Sequence, residues 1–199
     1  MLRESNTARA FNEEIATLIE QHGLPLQKIA NVPLAGWVLV QLGQIEIGLS
    51  QLLGYKAEIL EPGDVFATWL FIALGNAYLA NRRTSEGIRA MEEGVELCRT
   101  SRVRMLESEL HRLKGELLLS DGNKEAAAES FHGAIELARH QGAKSWELRA
   151  AMSLARLLSK QGYRDKARVM LADIYNWFIE GFDTADLKEA KALLDELSE

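Results

Sequence analysis

His132, Glu136 and His140 lie at four-residue intervals in FHGAIELARH, a spacing that on a helix stacks two imidazoles and a carboxylate along one face, the donor set of a zinc site. Ala127, Phe131, Ala134 and Ala138 mark the core side of the same segment, and the three polar residues turn progressively away from it. A catalytic zinc needs three converging ligands in a polar surround, so a solvated helix face is the better reading and no metal site is expected. Cys98 closes the amphipathic run EGIRAMEEGVELCRT beside Arg99, a neighbour that lowers a thiol's pKa. With no second cysteine to resolve an oxidised thiol, a small buried side chain is favoured over a redox sensor. Arg82 and Arg83 fall in an inter-helix turn, where paired cations more often serve solvation than an anion site. Phosphate-cradling glycine loops, nucleophile elbows and paired-cysteine signatures are absent. No catalytic residue and no cofactor is therefore expected, and the chain reads as a non-enzyme. A metal-dependent enzyme built on the His132 helix is the remote alternative.

Composition narrows the partners. The formal net charge of −6 argues against nucleic acid, whose binding draws on Lys and Arg neutralising phosphates. The most apolar run, VFATWLFIALGNAYLA over Val65 to Ala80, falls short of the ~20 residues that span a bilayer and predicts a buried helix, so no membrane partner is expected. The polar start MLRESNTARAFNEE lacks the layout of a secretion signal, and a single cysteine fits the reducing cytoplasm. With 47% hydrophobic residues and few prolines, and without alternating strand patterns, the chain should be nearly all helix.

Sliding the chain against itself reveals what those helices have in common. Gly36, Gly75, Gly115 and Ala155 recur at intervals of 39, 40 and 40, and twelve residues after each stands another small residue: Gly48, Gly87, Ala127 and Ala167. Large apolar columns keep the same frame, with Leu39, Tyr78, Leu118 and Leu158 on the first helix and Leu52, Met91, Phe131 and Leu171 on the second. A small residue on each of two antiparallel helices lets the backbones approach, so Gly115 is expected to touch Ala127, with larger residues filling the space around the crossing. Such a hairpin cannot bury its faces alone, which is why the unit must repeat. Gly43, Gly122 and Gly162 end the first helix of their units as a C-terminal glycine does, and Arg82 takes that place in the second.

The frame divides residues 1–199 as one helical-repeat domain: 1–23 a lone second helix, 24–62, 63–102, 103–142 and 143–181 four repeats, and 182–199 a capping helix. The segment Asn6 to His22 keeps the second-helix register, with Ala8 and Ile15 each 40 residues before Gly48 and Tyr55, as in a repeat whose first half is missing. Gly23 with Pro25, and Pro62 with Gly63 and Asp64, separate elements, whereas Pro33 falls within the helix carrying Gly36 and should kink it or delay its start. At the other end Phe182, Asp183, Asp186 and Leu187 supply a staple and N-cap for a helix over Thr184 to Leu197.

Gly115, Ala127, Phe131 and Ala134 resemble the marks of the tetratricopeptide repeat, although 40 residues exceed the ~34 of the ordinary form and the tryptophan-type position is Val32, Phe71, His111 and Ala151. The resemblance implies an all-α superhelix (solenoid) of long antiparallel helix pairs. The run from ESELHRLKGELLLS through AAMSLARLL, together with WFIEGFDTADLKEAKALLDEL, looks like the C-terminal helical array of large bacterial signalling ATPases, adenylate cyclases and transcriptional activators. That resemblance implies upstream domains of a parent signalling protein and a sensing role. Chaperone-type clamping of a terminal carboxylate is not implied, since only Asn76 fits its pattern.

In such arrays the first helices line the binding surface. The frame places Trp37, Trp69, Ile72 and Asn76 on its apolar half and Arg112, Glu116, Arg149 and Arg156 on its charged half, suited to an amphipathic segment with acidic residues at one end. The expected function is a non-catalytic module that binds a protein segment or small effector in this groove. An oligomerisation or scaffold module without ligand is the alternative.

Overall fold

A computed structural model describes residues 10, 13, 14, 17, 18, 21, 34–59, 67–101 and 103–199, and all regular secondary structure among them is α-helical. Residues 34–41 are helical and precede α1 (Ile45–Ile59), α2 (Ala67–Ala80), α3 (Thr84–Ser101), α4 (Glu107–Ser120), α5 (Lys124–Gln141), α6 (Lys144–Lys160), α7 (Arg164–Tyr175) and α8 (Ala185–Ser198). Pro33, the breakers at 23–25 and 62–64, Ala8 and Ile15 lie outside the described residues. The chain falls into two compact units, Met1–Leu106 and Glu107–Glu199.

Within the first unit α2 packs on α1 and on α3; within the second α4 packs on α5, α5 on α6, α6 on α7 and α7 on α8. In addition, α6 touches both α4 and α8, so first helices of successive hairpins are neighbours. The short turns 81–83, 121–123, 142–143 and 161–163 make the helices they join antiparallel. All eight small positions of the frame are buried.

In the first unit a Cβ on Gly48 would lie 2.6 Å from the Gly36 carbonyl oxygen, and one on Gly36 would lie 2.6 Å from Leu52 Cγ. Gly115 of the second unit, expected to touch Ala127, is packed by a larger residue of the same helix as Ala127. The space beside Gly115 is filled by Phe131, whose Cε1 would lie 2.4 Å from an added Cβ. The reason is geometric: the large residue one helical turn beyond the second small position leans over the glycine, as Leu52 does over Gly36. Side chains on a helix point back toward its N-terminus, so a position covers the surface of the preceding turn.

The first helix of each hairpin ends in the same way. Gly43, Gly122 and Gly162 have φ of +80, +90 and +88°, and Arg82 adopts φ +54° in their place. In every case the next residue's N–H reaches the carbonyl five back: Gln44 to Leu39 at 2.9 Å, Arg83 to Tyr78 at 3.0 Å, Asn123 to Leu118 at 2.9 Å and Tyr163 to Leu158 at 2.9 Å. These six-to-one bonds satisfy carbonyls a helix end leaves open. The acceptors are the large apolar column of the sequence frame. An arginine at left-handed φ costs about 1 kcal/mol through its Cβ, so Arg82→Gly is expected to raise stability by about that amount, measured by urea unfolding. An unchanged or lowered midpoint would show that the Arg82 side chain compensates.

Val65 to Ala80 was expected to be a buried helix, and from Ala67 to Tyr78 every residue of α2 except Trp69 and Asn76 is buried. No helix among the described residues is long and apolar enough to cross a membrane. At the chain's end the expectation is corrected in detail. Thr184 is the N-cap residue of α8, which starts at Ala185; its hydroxyl donates back to the Gly181 carbonyl at 2.7 Å and makes no capping bond to the helix. Leu187 is buried as a staple would be, and the Phe182 ring meets Tyr175, with centroids 5.9 Å apart.

Candidate partner-binding faces

In the first unit Trp69 stands out on α2. It is 48% exposed on a helix otherwise sunk in the core. Asn76, two turns on and therefore on the same face, is half-buried and donates through Nδ2 to the Ile72 carbonyl at 2.7 Å. Ile72, placed on this face by the sequence frame, is buried and presents little surface. Trp37, on the helix of residues 34–41, is half-buried. The accessible features of α2 are thus one indole and, two turns along the same face, a half-buried amide.

In the second unit the basic residues of the frame do not stand free. Arg112 is only 12% exposed and grips Glu109 through Nε and Nη2, both at 2.8 Å, while Nη1 faces Glu116 and Ser153 at 3.4 Å. Glu109, 2% exposed, also receives Arg149 Nη2 at 3.0 Å. The Ser153 hydroxyl donates to Glu116 at 2.6 Å. Arg149 further lies over the Trp146 ring at 5.3 Å, and Arg156 pairs with Glu189 at 2.6 Å. Burial works against the charge of Arg112, but the Glu109 hydrogen bonds and the carboxylates of Glu109, Glu116 and Asp186 outweigh it, so its pKa lies above the ordinary arginine value. Polar contacts join successive first helices: α4 reaches α6 through Glu109–Arg149 and Glu116–Ser153, and α6 reaches α8 through Arg156–Glu189.

Sequence reasoning placed Arg112, Glu116, Arg149 and Arg156 on one face but did not see that Glu109 would bind two guanidiniums at once. The signal was its place six before Gly115, matched by Arg149 six before Ala155, an opposite-charge pair in neighbouring repeats. A second buried carboxylate, Glu147, was likewise missed; it takes Arg139 at 2.6 Å and Lys144 at 2.8 Å, tying the end of α5 to the start of α6.

The other chemical candidates resolve simply. His132, Glu136 and His140 are all exposed, and no group of three His, Cys, Asp or Glu among the described residues could hold a metal ion. Cys98 is fully buried with its Sγ 3.9 Å from the Thr68 hydroxyl, while exposed Arg99 turns to Glu96 at 3.7 Å. Arg83 pairs with Glu86 at 2.8 Å and lies over the Tyr78 ring at 5.4 Å; that hydrogen bond holds the Glu86 carboxyl below its ordinary value. Burial pushes the Tyr78 hydroxyl up, against the opposing pull of Arg83.

Comparison with known protein families and with curated proteins finds no match. Among solved structures the chain is similar to BtubC (BKLC) of P. vanneervenii, at 14% identity and TM-score 0.68 over 98% of this chain and 89% of that one. It is similar to a kinesin light chain protein of Podosopora anserina with nearly identical TPR-like repeats, at 15% identity and TM-score 0.61 over 87% and 92%. A thermophilic TPR protein of Thermus thermophilus matches at 17% identity and TM-score 0.61 over 96% and 99%. At these identities the likeness is one of fold, and the fold is an all-α, tetratricopeptide-like helical-repeat array.

Proposed function

We propose that the chain is a non-catalytic interaction module that holds a protein segment or small effector on first-helix faces, with Trp69 as the apolar anchor. The observation that carries this reading is the half-exposed indole of Trp69 on an otherwise largely buried helix, since exposed aromatic side chains are prominent among residues that dominate binding energy. On the second unit, Arg156 is the rim contact: its partner Glu189 is itself exposed, so an acidic ligand group competes for it at small cost. Arg112 serves the fold.

Affinity capture with the full chain, identification of the bound protein and calorimetric titration test this. Trp69→Ala should weaken binding by about 2 kcal/mol, and Arg156→Ala should act through association rate and salt dependence. Circular dichroism separates lost contact from misfolding. Full binding by both folded variants would move the site elsewhere and favour a scaffold role, which the charge pairing along α4, α6 and α8 also supports.

The finer reading is that the module is the regulatory C-terminal part of a bacterial signalling ATPase, cyclase or transcriptional activator. Its support is the sequence resemblance of the ESELHRLKGELLLS and WFIEGFDTADL segments. Reading the DNA upstream of Met1 for an in-frame nucleotide-binding or cyclase domain decides it.

A further inference from the structure

The α5–α6 connection is just Gly142 and Ala143, whereas the connection from α7 to α8 runs over residues 176–184. Short links suffice to join packed helices, so the longer one is not demanded by the packing. It carries Trp177, Phe178, Ile179 and Phe182, a composition foreign to surface loops. Trp177 and Phe182 are about half-exposed and Ile179 is 91% exposed. The segment is nevertheless held by contacts: Trp177 meets Phe178 edge-on at 5.3 Å, Phe182 meets Tyr175, and the Lys144 ammonium sits over the Trp177 ring at 5.6 Å. Large apolar side chains are thus fixed with their free surface toward solvent, the arrangement of an anchor site.

The surrounding charge indicates what covers them. Asp173 in the last turn of α7, Glu180 and Asp183 are exposed, and none has an ion pair or hydrogen bond through its side chain among the described residues. The positive charge of Lys144 at this patch is already engaged by Glu147 at 2.8 Å. An acidic residue near a helix C-terminus, as Asp173 is, opposes the helix dipole, so its placement is not explained by the helix itself. We propose that the 176–184 connection docks a segment of a partner protein that presents apolar side chains flanked by Lys or Arg. An anionic lipid surface is disfavoured by the acidic rim, and a second copy of this chain brings its own net charge of −6.

The test is a selection of displayed random peptides on the full chain, followed by titration of the enriched peptides against variants. Expected are peptides in which Lys or Arg flank Leu, Ile, Phe or Trp, binding about 10-fold more weakly to Ile179→Asp and to the double variant Glu180→Lys, Asp183→Lys. The same peptides should bind Trp69→Ala as they bind the parent, which separates this surface from the α2 face. Ile179 is almost wholly exposed, so its substitution leaves the fold intact. Enrichment of acidic peptides, equal binding to all variants, no enrichment at all, or sedimentation showing self-association abolished by Ile179→Asp would each overturn the proposal.

Discussion

Glu109→Ala is expected to cost about 3–5 kcal/mol of folding stability, because it strands buried positive charge. In the parent, the guanidiniums of Arg112 and Arg149 face the carboxylates of Glu109 and Glu116, with Glu109 the partner of both. Removing it leaves Arg112, itself nearly buried, with the more distant Glu116 at 3.4 Å. Breaking a buried pair from one side is far more costly than replacing it whole, so Glu109→Leu combined with Arg112→Met should recover much of the loss. By contrast Glu189→Ala, which removes the exposed partner of Arg156, should change stability by less than about 1 kcal/mol. Chemical denaturation followed by circular dichroism measures all three. A Glu109→Ala effect no larger than that of Glu189→Ala would mean that the cluster is wetter than its geometry.

Gly115→Ala should destabilise by about 1–3 kcal/mol even though alanine is the better helix former by about 1 kcal/mol. The new methyl would lie 2.4 Å from Cε1 of the fully buried Phe131, so the ring or its helix must shift. Gly133→Ala is the internal control, since nothing lies within 4 Å of its would-be Cβ and the helix preference alone should act, giving a gain. Placing Gly115→Ala in a Phe131→Leu background should relieve the clash, so the two substitutions together cost less than their sum. Strict additivity in the double-mutant cycle would break the assigned register.

The register itself was legible because it is written in residue size. Small side chains at Gly36, Gly48, Gly115 and Ala127 and the large column through Leu52 and Phe131 reflect steric rules that hold wherever two helices cross, and the turn column through Gly43, Gly122 and Gly162 reflects backbone rules. Arg82 could be assigned to that column in spite of its side chain, because the frame fixed its place. What the sequence hid were properties set by the neighbour across the hairpin. That Phe131 crowds the space at Gly115 depends on how a side chain leans along its helix. That Ile72 is buried while Trp69 is half-open depends on what lies over α2, and that Arg112 and Arg149 share Glu109 depends on how α4 meets α6. The exposed aromatic connection escaped notice for another reason: WFIEGF reads as ordinary core by composition, and only the packing leaves Ile179 outside.

The rungs joining α4 to α6 and α6 to α8 also make the units non-interchangeable. A repeat array built on size alone tolerates any order of its members, since every hairpin offers the same small and large positions to the next. Here the third unit presents Glu109 where the fourth presents Arg149, and the fourth presents Arg156 where the terminal helix presents Glu189. Duplicating the third unit would set Glu109 against its own copy, and duplicating the fourth would do the same to Arg149. The charges on these helices therefore act as an address for neighbours along the chain, recording which hairpin follows which and opposing the mispairing of look-alike units during folding.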